Sequence, residues 1–124
     1  MPAFIANYAP SNEWQYADAN DITDTTAVEV KAAPGANKRH RVVAVQLTNT
    51  DTAVGTVVQV LSGASTVLAN LWVGPYVAAA PGGAGQCAIF PLPLRATANE
   101  AIQVKCVTTS AQVRCSVQGY TETC

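Results

Sequence analysis

The sequence predicts an all-β fold, a single antiparallel β-sandwich or barrel of about eight strands. From residue 27 onward, apolar and polar side chains alternate with a period of two, most regularly in the runs HRVVAVQLT, AIQVKCV and QVRCSVQGY. β-branched residues dominate these runs, and turn residues separate them at 33–35, 49–51 and 62–64. Because glycine or proline interrupts the alanine-rich stretches, no segment predicts a helix.

The composition excludes several classes of protein. Hydrophobic residues make up 49% of the 124 residues and the net charge is −1, whereas a disordered chain has few apolar residues and a high net charge. The chain lacks the basic excess of a nucleic-acid binder, and no apolar run approaches the ~20 residues that span a membrane. The start of the sequence also lacks the basic and apolar regions of a signal peptide. We therefore expect neither a nucleic-acid partner nor a membrane location.

The first 26 residues predict an extended N-terminal arm, which precedes a sandwich domain over residues 27–124. Residues 1–30 hold five acidic and no basic side chains, whereas residues 31–124 hold seven basic and three acidic ones. Large aromatics on an irregular segment are typical anchors for a partner surface. We therefore expect the aromatic and acidic side chains of the arm to bind a partner: Phe4, Tyr8, Trp14, Tyr16, Asp18, Asp21 and Asp24. The alternative is that the arm folds back on its own domain.

A basic cluster and two further aromatics are the other candidate contact residues. Lys38, Arg39 and Arg41 form the basic cluster at the start of the first long strand. The charge difference between arm and body favours pairing of this cluster with an acidic arm, over a solvated strand end or a nucleic-acid contact. Trp72 and Tyr76 lie at the end of another strand. They either plug one end of the core or form a surface platform for a carbohydrate or a protein.

The sequence shows no clear arrangement of catalytic or metal-ligating residues, so we expect no enzyme activity and no cofactor or metal. His40, the one histidine, lies between two arginines and has no orienting acid or nucleophile beside it in the pattern. Residues 18–29 match a calcium loop in part, but Ile22 and Thr23 occupy positions that need an oxygen ligand and a glycine. A solvated acidic segment is the favoured interpretation.

The end of the chain predicts a hairpin with its turn near residues 109–111. This turn would bring Cys106 close to Cys115 on the core face, where either a cross-strand disulfide or two buried thiols would fit. Buried thiols, which act as small hydrophobic side chains, are favoured. Pro91 and Pro93 cannot donate to a sheet, so the run FPLPL is predicted to be an edge strand or an irregular extended segment.

Four segments from residue 37 onward carry a resemblance to a known group of proteins. They read NKRHRVVAVQLTNTD, VVQVLSGAST, LANLWVGPYVAAAPGGAG and FPLPLRATANEAIQVKC with VRCSVQGYTE. Thr97, Glu100, Ala101 and Ile102 match a turn that precedes a strand in these proteins. On these segments the chain resembles small virion proteins of tailed bacteriophages, over about 85 residues.

The resemblance implies a jelly-roll sandwich that serves as a building block of the phage particle. Capsid decoration (cement) proteins of this kind sit as trimers on the outer surface of the head. The implied partners are thus the major capsid protein and further copies of the chain, as a homotrimer. The implied location is the capsid surface of the virion, after synthesis in the cytoplasm of the bacterial host. The alternative is a carbohydrate-binding module or a fibre or tail part, because one fold serves several functions.

Overall fold

Two four-stranded sheets pack face to face in the computed structural model of the chain, which describes residues 12–77 and 84–124. All strand pairs are antiparallel, which confirms the predicted all-β sandwich of about eight strands. The strands are β1 (Glu13–Ala17), β2 (Val28–Lys31), β3 (Lys38–Asn49), β4 (Thr56–Ser62), β5 (Thr66–Val73), β6 (Gly85–Arg95), β7 (Ile102–Cys106) and β8 (Val113–Thr123). Among the described residues, no helix is long and apolar enough to cross a membrane.

The order of the strands is that of a jelly roll. One sheet has the order β1-β8-β3-β6 and the other has the order β2-β7-β4-β5. Because β1 pairs with β8, β2 with β7, β3 with β6 and β4 with β5, the chain forms one long hairpin with its tip between β4 and β5. Rolling up this hairpin adds the pairs β3–β8 and β4–β7 and divides the strands between two sheets.

The core lies between the two sheets and is built by the alternation seen in the sequence. In β7, and in β8 from Val113 to Val117, every second side chain points inward and is at most 2% exposed. β3 and β4 contribute in the same way, although a bulge interrupts the period of two near Val43. The inward side chains of these four strands include Val42, Val45, Leu47, Val58, Val60, Ile102, Val104, Val113 and Val117.

Residues 13–17 differ from the predicted extended arm, because they form β1 at the edge of a sheet. Trp14 lies opposite Gly119 of β8. A Cβ atom on Gly119 would overlap the carbonyl oxygen of Arg41 and come within 2.6 Å of the Trp14 ring. The indole thus fills the space above the glycine and is only 8% exposed. The sandwich therefore includes residues on the arm side of the predicted boundary at residue 27.

β6 is the outer strand of its sheet, which confirms the prediction made from its two prolines. In the register with β3, residues 90–93 stand opposite Val43 alone, so Pro91 and Pro93 lie in a bulge. The N–H groups that the prolines lack are not needed there. The bulge turns Leu92 outward, where 80% of it is exposed.

β7 and β8 belong to opposite sheets and do not form the predicted hairpin. Each strand pairs with partners from earlier in the chain, β7 with β2 and β4 and β8 with β1 and β3. Cys106 and Cys115 are free thiols buried on the inner faces of the two sheets, so the favoured alternative is confirmed. Burial raises the pKa of the Cys106 thiol to about 11, which keeps it protonated and unreactive.

Candidate interaction surfaces

Asp18 fastens the end of β1 to β8. Its two carboxylate oxygens accept hydrogen bonds from the Tyr16 hydroxyl (2.7 Å) and from the backbone amide of Cys115 (2.7 Å). The amide of Asp18 donates to the carbonyl oxygen of Cys115 at 3.0 Å. Burial, and then the hydrogen bond to Asp18, raise the pKa of the Tyr16 hydroxyl, so it remains a donor. Asp18 is therefore engaged within its own chain.

The next acidic residues also bond to their own chain. Asp21 accepts a hydrogen bond from Nε of Arg114 at 2.6 Å, and Asp24 accepts one from a nearby backbone amide at 2.9 Å. Between them, Ile22 exchanges two backbone hydrogen bonds of 2.7 and 3.1 Å with β8. The Asp21–Arg114 pair is partly exposed and contributes only about 0–1 kcal/mol. Over residues 12–26 the structure thus matches the alternative in which the arm folds back.

The basic cluster pairs with an acid from the other end of the chain. Nε of Arg41 and Nε of Arg39 lie 3.1 and 3.6 Å from Oε2 of Glu122. The β3–β8 register places Arg39 directly opposite Glu122, a long-range pairing that the sequence pattern did not reveal. Lys38 is exposed at the start of β3, and its carbonyl oxygen accepts a bond from a loop amide. The predicted pairing with the acidic segment does not form among the described residues.

His40 is a buried structural residue. Its Nε2 lies 2.7 Å from the carbonyl oxygen of Ala32, so Nε2 carries the proton. Its Nδ1 lies 2.8 Å from the Thr121 hydroxyl and accepts a hydrogen bond in the neutral ring. Burial lowers the pKa of His40, and the edge of its ring packs against Trp14 with ring centroids 5.6 Å apart. Within residues 12–77 and 84–124, no group of His, Cys, Asp or Glu side chains is arranged to hold a metal ion.

The aromatic residues of the predicted arm have different positions. Trp14 belongs to the core, and Tyr16 is partly buried against it. Trp14 is thus no exposed anchor, because its ring covers Gly119 of its own chain. Phe4 and Tyr8 lie outside the described residues. They are the arm aromatics that stay candidates for a partner surface.

Trp72 and Tyr76 lie at the surface and do not plug the core. Trp72 is 58% exposed, and the edge of its ring lies against Gly55, where a Cβ atom would come within 2.7 Å. Tyr76 is also exposed, and its amide donates to the carbonyl oxygen of Asp51 at 2.7 Å. Their role as a surface platform for a carbohydrate or a protein stays a prediction.

Exposed apolar side chains lie along β5 and β6, which are neighbouring edge strands of the two sheets. We call this edge of the sandwich the apolar side, and the exposed residues along it are Val67, Trp72, Ile89 and Leu92. Trp72 and Ile89 lie on the outer faces of opposite sheets. Ile89 is 71% exposed. The sequence carries no charged residue from 52 to 94, a stretch that includes β4, β5 and nearly all of β6. Ile89 and Leu92 were not among the predicted contact residues, although the uncharged stretch around them was a signal.

A groove of about 620 Å³ lies beside β1 and the end of β8. Trp14, Val43 and Gly119 line it together with polar residues of β8. Nε1 of Trp14 is buried without a hydrogen-bond acceptor among the described residues. Because its wall includes an edge strand and apolar carbon, the groove suits an extended chain better than a small polar ligand.

Comparison with known proteins gives similar structures and no family. No protein-family model and no curated protein matches the chain. A structure of the cyanophage Pam1 capsid asymmetric unit is similar over 87% of this chain and 81% of that one, with 21% identity and a TM-score of 0.41. The tobacco streak virus coat protein dimer is similar over 94% and 91%, with 10% identity and a TM-score of 0.36. The assignment of the jelly roll rests on the strand order of this chain itself.

Proposed function

We propose that this chain is a structural, non-enzymatic protein of a tailed-bacteriophage particle, where it decorates the outer surface of the capsid. The apolar side is the observation that carries this proposal. Ile89 and Leu92 are mostly exposed to water in the single chain, and they lie in a stretch of sequence without charged residues. Such a surface typically marks a contact with another protein. The resemblance to small phage virion proteins supplies the kind of particle.

The partners in this proposal are the major capsid protein and further copies of the chain, as a homotrimer. The segment before Asn12, with Phe4 and Tyr8, extends across a capsid subunit, while exposed acids such as Glu13 and Asp24 face basic patches on it. An arm that buries a few hundred Å² of apolar surface contributes several kcal/mol at ~25 cal/mol/Å², before ordering costs. The added contact area strengthens the shell against internal pressure.

Co-sedimentation with empty capsids of the phage that carries this protein tests this function. The full chain should sediment with the capsids, and a variant that lacks residues 1–11 should bind much more weakly. The hydrogen bonds and strand pairs described above all lie outside this deletion, and circular dichroism should show the same β structure in the variant. Gln15→Ala, an exposed change in β1, is the matched control and should bind like the full chain.

The two results separate the parts of the proposal. If the full chain stays in the supernatant, the decoration function is wrong. If the deletion variant binds as tightly as the full chain, the role of the arm is wrong and another surface makes the capsid contact.

A carbohydrate-binding module is the second candidate, and the exposed ring of Trp72 favours it. A flat indole against Gly55 offers a face on which a sugar ring can stack. In that case Trp72→Ala should abolish binding on a glycan array and leave co-sedimentation with capsids intact. Loss of capsid binding together with an empty array would instead support a protein contact at Trp72.

A further inference from the structure

We infer that residues 4–8 form a further strand along the free edge of β1, so that the start of the chain folds back on its own domain. The inference concerns the free chain and does not rest on the proposed function, which concerns the assembled particle. It adds where the N-terminal segment is held before it extends across a capsid subunit.

The edge of β1 is open to a further strand. β1 is the outer strand of its sheet, and among the described residues it pairs only with β8. The free edge of such a strand presents N–H and C=O groups that can pair with another strand. β6, the outer strand on the opposite side of the same sheet, contains Pro91 and Pro93, which lack two of these donors. β1 contains no proline, so its edge is the one of the two that can accept a regular strand.

The groove of about 620 Å³ beside this edge favours an occupant that brings a hydrogen-bond acceptor. Trp14 and Val43 contribute apolar carbon to its lining. Nε1 of Trp14 is buried and has no acceptor among the described residues, which is unfavourable. Glu122, which also lines the groove, is already paired with Arg41. An extended segment with few charges and a free acceptor therefore suits this groove.

Residues 1–11 of the same chain are the occupant. They directly precede Asn12, which itself lines the groove. Eleven extended residues reach up to about 36 Å, about twice the ~17 Å length of a five-residue strand, so the segment can turn and run along all of β1. It carries no charged side chain and includes Phe4, Ile5 and Tyr8, which favour strands. Because a tethered segment has an effective concentration on the order of mM, a strand from another molecule competes poorly with it.

The residues that join this segment to β1 have the composition of a hairpin turn. They read Ala-Pro-Ser-Asn at positions 9–12. Proline is favoured at the second position of a type I turn, and four-residue hairpin loops are most often built around this turn. Asn12, the one of these four that the structure describes, has the backbone of a 3₁₀ turn and not of a strand. A hairpin therefore continues the backbone that is seen at Asn12.

A four-residue loop fixes the register of this hairpin. The opposite pairs are then Tyr8–Glu13, Asn7–Trp14, Ala6–Gln15, Ile5–Tyr16 and Phe4–Ala17. Residues that stand opposite each other share one face of a sheet. Asn7 therefore shares the inner face with Trp14, and its amide oxygen supplies the acceptor that Nε1 of Trp14 lacks. Phe4 and Tyr8 share the outer face with Gln15, which lines the groove.

NMR spectroscopy of the isotope-labelled full chain, without any capsid, tests the hairpin. Nuclear Overhauser effects should join Asn7 to Trp14 and Ile5 to Tyr16. Amide hydrogen exchange in β1 should be at least about tenfold slower than in a variant that lacks residues 1–11. A mixture of labelled and unlabelled chains separates contacts within one chain from contacts between chains, and these contacts should arise within one chain.

Substitutions in the segment test the strand and its register. Ala6→Pro together with Asn7→Pro removes two neighbouring amide donors, one of which faces β1 because successive N–H groups of a strand point to opposite sides. This variant should exchange its β1 amides as fast as the variant that lacks residues 1–11. Ala3→Pro, the same change just outside the paired residues, is the matched control and should keep the slow exchange. Asn7→Ala should also keep it, but the indole N–H of Trp14 should exchange several-fold faster.

Three results would each overturn the inference: exchange in β1 that is as fast in the full chain as in the deletion variant, slow exchange in the double proline variant, or contacts that join different chains. Unchanged exchange of the Trp14 indole in Asn7→Ala would overturn the register. Co-sedimentation is scored separately. A chain without the hairpin that still binds capsids overturns this inference and leaves the decoration function standing, and a chain with the hairpin that does not bind them overturns the decoration function alone.

Discussion

Asn49 shows how one buried polar side chain holds three loops at the same end of the sandwich. Its Nδ2 donates to the carbonyl oxygens of Val54 and Gly74 at 2.8 and 3.0 Å. Its Oδ1 accepts from the amides of Asp51 and Gln112 at 3.0 and 3.1 Å. The side chain is 1% exposed and all its bonding capacity is used, so its burial costs little.

Asn49→Ala should lower the free energy of unfolding by about 3 kcal/mol, because it leaves buried carbonyl and amide groups without partners. Urea denaturation followed by tryptophan fluorescence measures this change. Asn70→Ala is the control, because Asn70 bonds only to the exposed Gln59 side chain at 3.2 Å. A loss below about 1 kcal/mol for Asn49→Ala would mean that water replaces these bonds.

His40 makes stability depend on pH in a definite direction. Burial, with the nearby Lys31 charge, lowers the pKa of His40 in the folded chain, while the bond to Ala32 opposes the shift. Below the unfolded pKa of about 6.5, the unfolded chain therefore binds a proton more readily than the folded one. The contribution of neutral His40 to folding stability is complete above about pH 6.5. It is lost as the pH falls toward the lower pKa of His40 in the folded chain.

Denaturation at a series of pH values should show a loss of at most about 1.4 kcal/mol per pH unit between about pH 6.5 and pH 5. His40→Leu should be less stable overall, and its stability should change less over this range. Equal slopes for the parent chain and His40→Leu would assign the pH dependence to another group.

At the scale of elements, the alternation of apolar and polar side chains was sufficient to predict the long strands. It was not sufficient to predict which distant strands pair with each other. β3, β7 and β8 each carry enough alternating residues to show which face is buried. β1 has five residues with two inward aromatics, which is too short for a period to be visible. The β7–β8 hairpin failed for a different reason, because adjacent strands of a jelly roll usually cross between sheets.

The candidate site was predictable where a residue's own neighbours determine its environment. The prolines of β6 identified an edge strand, and the position of Trp72 at a strand end identified a surface aromatic as one alternative. Trp14 and Arg41 could not be placed, because Gly119 and Glu122 meet them only after the chain has rolled up. Their partners are more than 80 positions away in the sequence.

Trp14→Ala should destabilise the chain by about 3–5 kcal/mol, because it opens a cavity above Gly119 and exposes the side of β8. The loss should appear in urea denaturation and as faster proteolysis between β1 and β2. Gln15→Ala, in the same strand but exposed, should change stability by less than about 0.5 kcal/mol. A small effect of Trp14→Ala would show that β1 contributes little to the sandwich.

At the scale of the whole molecule, the low charge content of 12% is distributed unevenly. Acids and bases concentrate at the edge strands β1 and β2 and at the inner strands β3 and β8, while β4, β5 and β6 carry only Arg95. The roll brings these three strands together on one side, although two of them belong to one sheet and the third to the other. A difference along the sequence thus becomes a difference between two sides of the sandwich.

The two sides should therefore respond differently to salt. Raising the NaCl concentration from about 0.05 to about 0.5 M screens charged contacts but leaves apolar burial unchanged or slightly stronger. The mass of the chain in solution should stay the same across this range, whereas co-sedimentation with capsids should weaken. Glu13→Gln with Asp24→Asn, both exposed, should weaken capsid binding at low salt and reduce its salt dependence. If salt dissociates the oligomer, charged contacts hold the copies together. If capsid binding is insensitive to salt and to these substitutions, the acidic residues do not make the capsid contact.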